Sequence, residues 1–293
     1  MRQTRGGHGT GTTRMAVVAA LAMLAAGCSG SSSEPSPSPT TAPSPSSATT
    51  ETTTSSRYVA LGDSYTAGPG IDPQQPDGGL CQRSAESWPM LLAASLDLRL
   101  TDVSCSGATT SDLRTTVASG AVPSDARLVT VGAGGNDGGL FISLLRTCTR
   151  DSQKCQRFVD DQAPAILART TDDLAALLTA VRSKAPRART LLVGYPRIMP
   201  SSGTCQAVAI PPADVAAVVS AETALDRSLT EAARRAGVTY VSLRRPSEGH
   251  DACAGGRAWT NGVSPASGDG IVFHPNARGM AAIADVVAGA ARG

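Results

Sequence analysis

Ser64 stands in Gly62-Asp63-Ser64-Tyr65-Thr66-Ala67-Gly68, directly after a short apolar run. A serine hydroxyl is a poor nucleophile until a base takes its proton, and it must be presented where a substrate can reach it. The flanking glycines allow a tight strand-to-helix turn, and a helix N-terminus favours negative charge developing nearby. A base is available far downstream. His274, in Phe273-His274-Pro275-Asn276, is one of only two histidines after residue 57, and Pro275 stiffens the loop from which it projects. Between them lie Gly107, in Ser104-Cys105-Ser106-Gly107-Ala108, and Asn136, in Gly134-Gly135-Asn136-Asp137. A glycine N–H and an asparagine amide are the donors that an oxyanion needs, each worth roughly 3–4 kcal/mol to an acyl-transfer transition state. Taken singly, these residues read as an N-cap serine, turn glycines and a structural histidine. The second histidine, His250, sits among Gly249, Cys253 and Gly255-Gly256, which reads as a stapled loop.

The elements that must position these groups are legible as a rhythm. Apolar runs at 58–61, 98–103, 128–132, 191–194 and 238–243 are continuous rather than alternating, as in strands buried on both faces. Helical spacing recurs between them. Leu167, Leu174, Leu177, Leu178 and Val181 mark one helix. Val215, Val218, Leu225 and Leu229 mark a second, opened by Pro211 and Pro212 and stopped by Gly237. Met280, Ile283 and Val287 mark a last one after Pro275. This pattern predicts an α/β fold, a three-layer α/β/α sandwich around a mostly five-stranded parallel sheet. Sites in such sheets lie at the carboxyl ends of the strands, where Ser64, Gly107 and Asn136 all fall. The Gly-x-Ser-x-Gly elbow of α/β-hydrolases is absent, because Thr66 occupies its second glycine.

Together, Gly62-Asp63-Ser64, Gly107, Gly135-Asn136-Asp137 and His274-Pro275-Asn276 resemble the four ordered blocks of the SGNH or GDSL hydrolases. The resemblance implies the SGNH hydrolase fold, with Ser64 as nucleophile and His274 as base and then acid. It also implies an oxyanion hole from the N–H groups of Ser64 and Gly107 and the amide of Asn136. A narrower resemblance, to secreted actinobacterial lipases and esterases, rests on three segments. These are Cys81-Gln82-Arg83-Ser84-Ala85-Glu86-Ser87-Trp88-Pro89, Gly249-His250-Asp251-Ala252-Cys253 and Trp259-Thr260-Asn261-Gly262. It implies disulfides Cys81–Cys105, Cys148–Cys155 and Cys205–Cys253. In most of the family an aspartate precedes the histidine by three residues; here that residue is Ile271. The expectation is a Ser64–His274 dyad whose imidazole is held by the main-chain carbonyl of Ile271, with Asp269 as the alternative third member.

The first fifth of the chain is not globular. Residues 1–28 read as an export signal: Arg2, Arg5 and Arg14 precede an apolar stretch, 15–26, too short to span a bilayer. The stretch ends in Leu24-Ala25-Ala26-Gly27-Cys28, which resembles a bacterial lipobox and predicts lipidation of Cys28. Residues 29–56 are almost wholly Ser, Thr, Pro, Ala and Glu, the composition of a disordered stalk. Residues 57–293 form one hydrolase domain. Of 7 cysteines, six remain after Cys28, an even number that implies disulfides in an exported domain. No CxxC spacing exists, so neither a metal nor another cofactor is expected. A net charge of +2 without a basic cluster argues against a nucleic-acid partner. The reading is a secreted, lipid-anchored, monomeric ester hydrolase on the outer membrane face, acting on a lipid or small acyl ester. A cell-envelope polysaccharide O-deacetylase is the rival enzyme. A non-catalytic envelope lipoprotein is the rival of another class.

Overall fold

The computed structural model describes residues 55–293. The export signal, Cys28 and nearly all of the Ser/Thr/Pro-rich segment lie outside the described residues. Five strands form one sheet: β1 (Arg57–Gly62), β2 (Arg99–Asp102), β3 (Leu128–Gly132), β4 (Arg189–Val193) and β5 (Thr239–Val241). Every neighbouring pair is parallel, in the order β2-β1-β3-β4-β5. Register aligns Tyr58 with Leu128 and Gly62 with Gly132, so β1 and β3 end level at the same edge of the sheet. The central strands are buried throughout, whereas β2 alternates exposed and half-buried residues, as a polar edge strand does.

Alternate residues of each central strand feed different cores. Val59, Leu61, Val129, Val131 and Leu192 point to one face. There they meet α3 (Thr110–Ala118), α4 (Leu140–Cys148), α5 (Ser152–Arg157), α6 (Ala163–Lys184) and α7 (Pro212–Ala236). Tyr58, Ala60, Leu128, Leu191 and Val193 point to the other face. They meet α2 (Trp88–Ser95) and α8 (Ala277–Arg292) through Trp88, Leu92, Met280, Ile283 and Val287. The result is the three-layer sandwich that the alternation of apolar runs and helical spacing predicts. The structure also bridges Cys81 with Cys105, Cys148 with Cys155, and Cys205 with Cys253.

Boundaries shift by a residue or two. Helix α7 begins at Pro212 and ends at a left-handed Gly237, as its proline and glycine predict. The strand expected over 238–243 shortens to Thr239–Val241, because Leu243 is buried from a loop instead. Two short helices show no period: α2 is apolar almost throughout, and α3 carries too few apolar residues. Their local signals are Pro89 in the first turn of α2 and the capping box of Thr109 with Asp112 in α3.

Candidate active site

Ser64 opens a one-turn helix, α1 (Ser64–Ala67), at the carboxyl end of β1. Asp63 caps it: Oδ1 accepts from the N–H of Tyr65 at 2.9 Å. The turn is tight because Thr66 fills the space over two neighbouring strands. A Cβ on Gly62 would collide with the Thr66 side chain, and one on Gly132 would come within 2.5 Å of its Oγ1. Both positions therefore exclude any larger residue. The main chain then ties three strand ends together. Asp63 N–H donates to Gly132 O at 2.9 Å, and Cys105 N–H donates to Gly62 O at 2.9 Å.

His274 arrives from the loop before α8. Its Nε2 lies 2.8 Å from Ser64 Oγ, and its Nδ1 lies 2.8 Å from the carbonyl oxygen of Val272. A carbonyl can only accept, so Nδ1 carries the proton and Nε2 presents a bare lone pair to the serine hydroxyl. This is the tautomer that a general base requires. The loop is fixed by a left-handed Phe273 (φ 56°), whose carbonyl accepts from the Tyr65 hydroxyl at 2.5 Å. Tyr65, directly after Ser64, thus holds Phe273, directly before His274. Tyr65 also packs on the imidazole, with ring centroids 4.7 Å apart.

Both expected orienting groups are corrected here. The left-handed Phe273 closes residues 271–274 into a turn in which Ile271 O accepts the main-chain N–H of His274 at 3.2 Å. That carbonyl is consumed, and the one facing the ring belongs to Val272. Asp269 is turned away: its Oδ1 accepts from the N–H of Ala277 at 2.8 Å, where a carboxylate complements the N-terminus of α8. The partner of the His274 Nδ1 is thus a main-chain carbonyl and not a carboxylate. His250 is a loop residue, bonded through Nδ1 to Arg257 O at 2.7 Å and stacked on Trp259.

The two remaining blocks meet beside the dyad. The side-chain amide of Asn136 donates to Ala108 O at 3.1 Å, which ties it to the loop bearing Gly107. Gly107 is exposed, with φ 82° and open space beside its Cα. Asp137 secures the same junction from below, accepting from Thr110 N–H at 2.8 Å and Thr110 Oγ1 at 2.6 Å. Four separate sequence blocks therefore converge on one strand-end surface.

A family model described as GDSL-like lipase/acylhydrolase matches residues 60–282. The chain belongs to this family of ester hydrolases. Lipase 2 of Streptomyces coelicolor is 34% identical over 80% of this chain and 85% of its own. The lipase of Streptomyces rimosus is 31% identical over 76% of this chain and 82% of its own. Two solved structures agree in fold. Phospholipase A1 of Streptomyces albidoflavus superposes with a TM-score of 0.72 at 30% identity, covering 80% of this chain and 98% of its own. The extracellular lipase of Streptomyces rimosus gives 0.73 at 30% identity, covering 80% and 100%.

In this GDSL-family site a narrow apolar cleft opens at Tyr65 and His274. Phe141, Leu144, Leu145, Met199 and Val218 form its walls. The one carboxylate at its edge, Glu222, is neutralised by Arg244 at 3.0 Å and accepts from Met199 N–H at 3.1 Å. Ile271 and Val272, on the loop before His274, are exposed. Among the described residues no cluster of His, Cys, Asp or Glu could hold a metal ion. No described helix is long and apolar enough to cross a membrane.

Two buried groups bear on the pH behaviour of the site. Burial pushes the Asp63 carboxyl up to about 7, against the opposing hydrogen bonds from Tyr195 and Tyr65. Burial also lowers the pKa of His274 below 6.5, outweighing the Val272 carbonyl, which favours the charged ring. The neutral imidazole is the form that can take a proton, so a lowered pKa keeps the base available further into acid. The acid limb of kcat/KM is therefore expected below pH 6.5. A pH–rate profile checks this. An inflection near 7 would instead report the Asp63 carboxyl, and one at or above 6.5 that persists in Asp63→Asn would overturn a burial-lowered His274.

Proposed function

We propose that this chain is an exported hydrolase of acyl esters that works through an acyl-enzyme on Ser64. The observation that carries the reading is the bond of 2.8 Å between His274 Nε2 and Ser64 Oγ, with Nδ1 held on a carbonyl, at the mouth of an apolar cleft. Ser64 Oγ attacks the ester carbonyl while its proton passes to Nε2. The carbonyl oxygen, now an anion, is received by the N–H groups of Ser64 and Gly107 and the amide of Asn136. As the tetrahedral intermediate collapses, the imidazolium gives its proton to the departing alkoxide. A water, deprotonated by the same Nε2, then attacks the acyl-enzyme; the acyl–Oγ bond breaks, the acid leaves, and Nε2 returns the proton to Ser64 Oγ. The Val272 carbonyl keeps the tautomer through both halves. It offers a dipole rather than a full charge to the imidazolium.

The cleft favours an acyl chain over a glycan. Its walls are hydrocarbon, with no row of polar groups to bind sugar hydroxyls. Export is supported by the three disulfides and by the extracellular lipase of Streptomyces rimosus. The lipobox-like Leu24-Ala25-Ala26-Gly27-Cys28 supports anchoring through a lipidated Cys28, with residues 29–56 as a spacer between membrane and a single domain.

The test is hydrolysis of p-nitrophenyl acetate, butyrate and palmitate by the oxidised protein, beside an O-acetylated polysaccharide. Turnover is expected on the p-nitrophenyl esters, with kcat/KM rising from acetate to butyrate by about tenfold as methylenes enter the cleft. Release of acetate from the polysaccharide, with the butyrate ester left untouched, would replace this reading with the deacetylase.

A further inference from the structure

Tyr195 leaves the carboxyl end of β4 in Gly194-Tyr195-Pro196, a block that contributes neither nucleophile, base nor oxyanion donor. It is buried, and its hydroxyl uses both of its capacities. The O–H donates to Asp63 Oδ2 at 2.5 Å, and the oxygen accepts from Gly135 N–H at 2.8 Å. Asp63 is the residue before Ser64, and Gly135 is the residue before Asn136. One hydroxyl therefore spans the two turns whose relative position decides whether the Asn136 amide can meet an oxyanion formed on Ser64.

We propose that Tyr195 is a positioning residue, which holds the Asn136 amide at its working distance from Ser64 Oγ. This rests on the role of Asn136 given above. Gly135 leaves little other freedom. Its carbonyl accepts from Phe141 N–H at 3.1 Å, and a Cβ at this position would run into the Phe141 ring. With its N–H on Tyr195, Gly135 is clamped on three sides, and Asn136 inherits that placement. The Tyr195 ring is held in turn by edge contacts with Tyr65 at 5.0 Å and Phe141 at 5.1 Å. A raised carboxyl pKa at Asp63 marks how fully water is excluded from this junction. The hydroxyl bond is then worth more than it would be at the surface.

Tyr195→Phe keeps the ring and deletes only the bridge. With p-nitrophenyl butyrate, kcat is expected to fall about 10–100-fold while KM stays within about threefold, since the lost contact acts in the transition state. Asn136→Ala alone is expected to cost about 10²–10³-fold in kcat. In the Asn136→Ala background, Tyr195→Phe should then cost less than about threefold more, because the group it positions is gone. Asp63→Asn should show a smaller loss with the same dependence on Asn136 if Tyr195→Phe does not fold, since one amide oxygen cannot accept from both the Tyr65 N–H and the Tyr195 hydroxyl. Full kcat in Tyr195→Phe, with only a lower Tm, would overturn the proposal. So would a loss that multiplies undiminished in the Asn136→Ala background. A parent whose turnover survives Ser64→Ala would sink the acyl-enzyme reading itself, whereas an active, Ser64-dependent parent with an unaffected Tyr195→Phe would sink the positioning role alone.

Discussion

Replacing Ser64 with alanine is expected to lower kcat by about 10⁴–10⁶-fold while leaving the thermal midpoint unchanged. The large effect follows from the role of Oγ: no neighbouring group can form the acyl-enzyme in its place. Where nucleophile and base act as a unit, removing either costs nearly as much as removing both. His274→Ala should therefore fall to a similar floor, and the double variant should fall little further. The unchanged stability follows from the local structure. Asp63, not Ser64, caps α1, and Ser64 Oγ is bonded only to the imidazole it serves. The measurement is steady-state hydrolysis of p-nitrophenyl butyrate by each variant, beside a melting curve. Retention of more than about 1% of the parent's kcat in both single variants would remove the dyad from the mechanism.

Loss of the Cys205–Cys253 bridge should produce the largest stability effect. The bridge closes a loop of 48 residues, the longest of the three. On the chain-entropy view, its removal costs about 4 kcal/mol. For a domain of this size that corresponds to a fall in Tm of roughly 8–16 °C. The bridge does more than shorten the unfolded chain. It ties the segment after β4 to the segment after β5, where Ala252 N–H also donates to Ile198 O at 3.0 Å, and Thr260 Oγ1 to Arg197 O at 3.1 Å. The first segment supplies Met199 to the cleft wall, and the second runs on to His274. Cys205→Ser with Cys253→Ser should therefore broaden the melting transition and raise KM for butyrate before the global midpoint is reached. Removing Cys148–Cys155, which closes only 7 residues, is the control: its loss should cost far less. Equal destabilisation by the two pairs would contradict an origin in loop closure.

The site's chemistry is unusual only in how the imidazole is held. A carboxylate partner would fix the tautomer and also stabilise the charged ring. The Val272 carbonyl does the first and contributes to the second only as a dipole. That difference is measurable as the acid limb of kcat/KM.

Much of this was already written along the chain. Continuous apolar runs place β1, β3 and β4, since burial on both faces leaves no polar alternation to confuse them. The long helices α6 and α7 show their period and their proline and glycine ends. Ser64, Gly107, Asn136 and His274 are visible as residue types because each falls just after a strand or before a helix, where the fold class puts its sites. The tertiary structure decided what side-chain identity does not encode. The group that holds His274 is a main-chain carbonyl, and every residue has one. Only the left-handed turn at Phe273 selects Val272 over Ile271 and turns Asp269 to the end of α8. Tyr195 was overlooked for the converse reason. Its side chain is conspicuous at a strand end, but its meaning depends on two partners, Asp63 and Gly135, that lie 132 and 60 residues away along the chain. Local spacing can announce a nucleophile; only the packed sheet brings three distant loops within reach of one hydroxyl.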